Sequence, residues 1–116
     1  AKDSLTLMLS AVDANALCAS ELLECCNILI DHIEPLCEDG FAEINKLQIK
    51  ARTTGLDGPD NDLLARIIAG DYSIQIKASA AVLRKDKAQV NAYLNQMEPN
   101  ERTAFCRQPI FHLINS

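Results

Sequence analysis

Five cysteines and two histidines are the side chains in this chain most able to bind a metal or attack a substrate. Cys18, Cys25, Cys26, His32 and Cys37 fall close together in sequence. Structural zinc takes ligand pairs two to four residues apart, followed by a second such pair. Cys25 and Cys26 are adjacent, diverge by about 100° on a helix, and have no second pair after them. No metal and no other cofactor is expected. On one helix these thiols stand too far apart, or point too far apart, for disulfides. They read as reduced, small apolar side chains, which implies a cytoplasmic home.

Catalysis by a nucleophile needs a Cys or Ser beside an oriented base. Cys106 and His112 are near in sequence, but no third group orients them and no oxyanion loop accompanies them. Glu21 with Glu24, and Asp31 with Glu34, are carboxylate pairs that on a helix face serve solvation before acid–base work. A di-iron bundle needs Glu-x-x-His, whereas Leu29 precedes His32 and Pro109 precedes His112 at that spacing. Gly55–Leu56–Asp57–Gly58 lacks the Lys–Ser/Thr ending of a phosphate loop and places an acid where an anion would sit. No enzyme is expected, with Cys106 or the thiols between Cys18 and Cys37 the places a small redox activity would use.

The elements that carry these residues read as helices. From Leu5, steps of four and three reach Leu9, Val12, Ala16, Ala19, Leu23, Cys26, Ile30, Ile33 and Cys37, all apolar. This predicts a long heptad-patterned N-terminal helix with breaks possible at Asp13–Asn15 and at Pro35, closed by Gly40 as a C′ residue. Leu22, Leu29 and Leu36 widen the stripe on one flank and are the expected homodimer interface. Glu21, Glu24, Asp31, Glu34 and Glu38 lie away from it and are the expected surface for a protein partner.

A second helix carries Phe41, Ile44, Leu47 and Ala51 on one face, and Thr53–Pro59 forms a turn-rich loop. Asp60 or Asn61 is expected to cap a third helix with Leu63, Leu64, Ile67 and Ile68 inward. Beyond Gly70 the four-three step through Ile76, Ala80, Leu83, Lys87, Val90, Leu94 and Met97 predicts one further helix up to Pro99. A short helix through Phe105 follows, and the apolar end from Pro109 to Ile114 should be packed rather than frayed. Only Tyr72–Ile76 has any strand character.

Composition agrees with this reading. Apolar residues make up 48% and aromatics 4%, with no Trp, a palette suited to packed helices. A single all-α domain over residues 1–116 is expected, a compact bundle of about five helices. No run approaches the roughly 20 apolar residues of a membrane span, and the first residues lack the pattern of a secretory signal. Residues 1–40 hold eight acids against Lys2 alone, while the rest of the chain has two more bases than acids. An acidic front repels phosphate and so disfavours nucleic acid and anionic membrane. The expected function is a non-enzymatic regulator, adaptor or inhibitor that binds a protein with a basic surface, in the style of small inhibitors carried by phage and other mobile elements. The alternative is a nucleic-acid-binding regulator using a basic 77–87 helix with Lys77, Arg84, Lys85 and Lys87.

Overall fold

Proline, glycine and capping side chains cut the chain into short helices. The computed structural model describes residues 7–11, 19–36 and 38–115, and among them every regular element is helical and none is a strand. After a helical turn at 7–11 come α1 (Ala19–Ile33), α2 (Phe41–Ala51), α3 (Gly58–Ala69), α4 (Ile74–Leu83), α5 (Lys87–Gln96) and α6 (Pro99–Cys106). Short 3-10 segments follow α1 at Glu34–Leu36 and close the described chain at Pro109–Asn115.

The inward line of α1 is the one its spacing predicts. Leu23, Cys26, Ile30 and Ile33 are buried, as is Leu9 before them. Leu5, Val12, Ala16, Cys18 and Cys37 lie outside the described residues. The α-helix ends at Ile33, where Pro35 removes a backbone donor and the chain tightens into 3-10 geometry. Gly40 takes the left-handed conformation foreseen for it (φ 89°), but as the residue that opens α2. A Cβ there would lie 2.9 Å from both Ile76 Cγ2 and Tyr72 Cδ1, so only glycine lets this turn rest on the start of α4.

Side-chain capping explains the starts of α3, α4 and α5, and in one place corrects the expectation. Asp57, not Asp60 or Asn61, is the N-cap of α3: its carboxylate accepts from Asp60 N at 3.0 Å, and Asp60 Oδ2 accepts from Asp57 N at 3.1 Å. Lys50 reaches across to the same pair, 2.7 Å from Asp60 Oδ2. The Thr53–Pro59 loop is therefore tied at its far end. The contact with Lys50 holds the Asp60 carboxyl below its ordinary value of 3.8, and the same pairing raises the Lys50 ammonium above 10.5.

The stretch from Ile76 to Met97 is two helices rather than one. At the end of α4, Lys85 N donates to Val82 O (2.9 Å) and Asp86 N donates to Ala81 O (3.1 Å). That is a Schellman closure with Lys85 at φ 58°, in the left-handed position where glycine is usual. Asp86 then caps α5 by accepting from Gln89 N. Tyr72–Ile76, the strand candidate, runs into the cap Ser73 and the first turn of α4.

Two apolar clusters result. The larger surrounds α4, whose Ile76, Ala78, Ala80, Ala81, Val82 and Leu83 are all buried, with α2, α3, α5 and the C-terminal 3-10 segment packed on it. A helix apolar on every side belongs at the centre of a core, and its alanines let neighbours approach closely. Ile110 and Ile114 are buried in this cluster and Phe111 meets Phe105 edge-on at 5.9 Å, so the chain end is packed as expected. The smaller cluster holds Leu9, Leu23, Cys26, Ile30, Ala42 and Ile49. Among the described residues no helix is long and apolar enough to cross a membrane.

Candidate functional site

Helix α1 is covered on one side only. Its outward residues include Glu21, Glu24, Ile28 and Asp31, spaced three, four and three apart, which aligns them on one face. Ile28 is 65% exposed in the middle of those acids, and Leu7, on the turn that precedes α1, is 71% exposed. No other large apolar side chain among the described residues is as open. Both belong to elements of the smaller cluster. Leu29 is half-buried against that cluster, while the side chains of Leu22 and Leu36 lie outside the described residues, so the expected dimer flank is represented by Leu29 alone.

The five acids expected to act together divide into two sets. Glu21, Glu24 and Asp31 stand on α1, where Asp31 pairs with Lys46 of α2 at 2.6 Å. That hydrogen bond, with the nearby charges of Asp31, Glu34 and Glu43, raises the Lys46 ammonium above 10.5. Glu34 and Glu38 lie beyond α1 and meet Asp39 and Glu43 around an open groove of about 370 Å³, with no base among the described residues that line it. Sequence reading missed Asp39 and Glu43. The turn at Gly40 brings α2 back beside the end of α1, and only that reversal places Glu43 with Glu34.

A second constellation lies at the seam between the two clusters, on α2. Ala42 and Ile49 face the smaller cluster, and Ile44 and Leu47 face the larger. Between these rows run Phe41, Asn45, Gln48 and Arg52, spaced four, three and four. Phe41 thus packs with the smaller cluster instead of joining Ile44 and Leu47 as its spacing suggested. The side chains form a hydrogen-bonded ladder. Asn45 Nδ2 donates to the Phe41 carbonyl (2.8 Å) and Gln48 Nε2 donates to Asn45 Oδ1. Arg52 Nη1 donates to Gln48 Oε1 (2.9 Å), and Nη2 donates to the Pro109 carbonyl of the C-terminal segment (3.3 Å). Facing the ladder, Ser79 Oγ donates to the Gln75 carbonyl (2.8 Å), and Gln75 Nε2 donates to Glu101 Oε2 (3.0 Å). Asn45, Gln48 and Ser79 are the buried polar side chains among the described residues, and all three line one cavity of about 140 Å³. A polar row flanked by two apolar rows on an 11-residue helix is the signal in the sequence that points to it.

The remaining chemistry-bearing residues do not assemble. Cys25 is exposed and Cys26 buried on diverging faces of α1. Burial pushes the Cys26 thiol up, the neighbouring Cys25 adds to this, and Arg52 opposes it. A thiol so shifted is a poor nucleophile. Cys106 is half-buried and His112 exposed, its ring edge-on to Phe111, with no hydrogen bond between Cys106 and His112. No group of three or more His, Cys, Asp or Glu side chains placed to hold a metal ion occurs among the described residues. The basic stretch is not one helix: Lys77 is in α4, Arg84 and Lys85 form the turn, and Lys87 begins α5. In comparisons with known proteins, no family model, no curated protein and no solved structure matches the chain.

Proposed function

We propose that this chain is a protein-binding module, a regulator, adaptor or inhibitor that works by occupying a basic surface of another protein. The observation that carries the reading is Ile28, 65% exposed at the centre of the Glu21–Glu24–Asp31 face. A partner covering this face would gain affinity by desolvating Ile28, while the acids beside it would give steering and selectivity. Glu34, Glu38, Asp39 and Glu43 extend the negative field into the adjoining groove, where a partner's Lys or Arg would find acceptors. A symmetric pairing of two copies across Ile28 would oppose like charges, which favours a different, basic partner on this face. Self-association belongs instead to the flank of Leu29, and there we propose the homodimer. The free thiols Cys25 and Cys26 suit a reducing, cytoplasmic setting.

Affinity capture from lysate of the source organism tests the reading when unmodified protein is run beside Glu21→Lys/Glu24→Lys and Ile28→Ala. A basic protein retained by the unmodified chain should elute as salt rises and be lost with the charge reversal. Ile28→Ala should weaken it by about ten- to a hundredfold. Retention of the same protein by all three forms would remove this face from the function. For the dimer, light scattering should give twice the chain mass, shifting toward monomer with Leu29→Glu.

A further inference from the structure

We propose that the cavity between α2 and α4 binds a small, uncharged, planar molecule with an amide-like edge, such as a carboxamide, a lactam or a pyrimidine ring. This site shares Glu38 with the acidic groove beyond α1 but does not depend on the α1 face.

Size comes first. At about 140 Å³ the space is close to that of engineered cavities, on the order of 150 Å³, that admit one benzene ring. The walls suit a ring, since Phe41 and Phe105 both line the space together with Ile44 and Ile76.

Polarity then selects what kind of ring. Asn45, Gln48 and Ser79 are 8%, 3% and 8% exposed. Apolar residues at these places would fuse the two clusters into one core, and replacing buried polar partners by apolar groups of like shape is often neutral or stabilising. What the amides supply instead is unused capacity. Each carboxamide has two N–H donors and two acceptor sites on its oxygen, and the ladder commits one of each on Asn45, as donor to Phe41 O and acceptor from Gln48. Gln48 is used in the same way, toward Asn45 and Arg52. Ser79 spends its proton on the Gln75 carbonyl, which leaves its lone pairs as acceptors. The cavity therefore offers neutral donors and neutral acceptors side by side, the complement of an amide edge.

Charge excludes anions. Among the described residues no Lys or Arg lines the cavity, and Glu38 is the carboxylate that does. Arg52 is turned to Gln48 and the Pro109 carbonyl. An anionic ring would be desolvated with no cation to meet it.

Benzamide, benzoate and toluene share one ring and differ only in what the ring carries, so together they test the proposal. In an NMR titration of the full chain, benzamide should shift the side-chain amides of Asn45 and Gln48 saturably, with a dissociation constant on the order of 0.1–1 mM. Benzoate and toluene should each bind at least about tenfold more weakly. Ser79→Leu should fill the space and abolish benzamide binding while the circular dichroism spectrum stays helical. Should that variant fail to fold, Ser79→Ala, which keeps the helix and removes an acceptor, should weaken benzamide about fivefold or more. Equal binding of toluene would mean a plain apolar hole. No saturable shift by about 10 mM benzamide, or shifts unchanged by the Ser79 substitutions, would overturn the site and leave the cavity to water.

Discussion

Helices α1 and α4 are both rich in apolar residues, yet the fold uses them in opposite ways. Helix α4 is enclosed on all sides, with α2, α3, α5 and the C-terminal segment against it. Helix α1 rests on α2 and the turn at 7–11 and leaves Ile28, Cys25 and its acids to solvent. The larger cluster encloses its central helix; the smaller buries one face of α1 and leaves the other face to solvent. Stability should therefore reside in the first and recognition in the second.

The same substitution placed in each cluster should separate them most strongly. Val82→Asp buries a carboxylate with no partner at the centre of the larger cluster, a cost above about 4 kcal/mol, and should abolish the cooperative unfolding transition. Cys26→Asp is also costly, yet it should loosen α1 locally, with amide protection across α4 largely kept. Collapse of α4 protection in Cys26→Asp would show that the two clusters fold as one unit.

Gly40 joins the two regions and gives the next effect. Gly40→Ala combines a left-handed backbone with overlap against Tyr72 and Ile76. A loss of about 2–4 kcal/mol is expected in denaturant unfolding. A neutral outcome would mean that α1 and α2 can shift away from α4 freely.

Smaller effects come from the tie at the start of α3. Asp57→Ala removes an N-cap and should cost about 1 kcal/mol. The pairing of Asp60 with Lys50 has its own pH signature. The depressed Asp60 pKa makes its contribution full above 3.8, the ordinary value, and lost as pH falls through the lower folded one. Lys50, raised above 10.5, contributes fully below that pH and loses its part as pH rises through the higher folded value. Both groups are only half-buried at the surface, so Lys50→Met should lower the unfolding midpoint less than Asp57→Ala and flatten its pH dependence at the two extremes.

How far residue spacing foretold this molecule follows from what each element faces. Leu23, Cys26, Ile30 and Ile33 were legible because a helix covered on one side repeats its burial with the helical period. The break at Arg84–Asp86 was hidden, because Lys85 fills a position where glycine would have marked a stop. The α2 ladder was hidden for another reason: Asn45 and Gln48 look like solvated residues until Leu9 and Phe41 close in from one side and Ile76 and Phe105 from the other. Glu21, Glu24 and Asp31 could be placed on the open face from sequence, but not the isolation of Ile28 among them, which depends on what fails to cover it.

The division between an enclosed helix and one with a free face is tested most directly by Ile28→Glu, measured for both stability and partner capture. An unpacked side chain should tolerate the charge, with the denaturant midpoint within about 0.5 kcal/mol of the unmodified protein and capture of the basic partner lost. A large drop in the midpoint, or capture that persists unchanged, would contradict the assignment of this face to recognition.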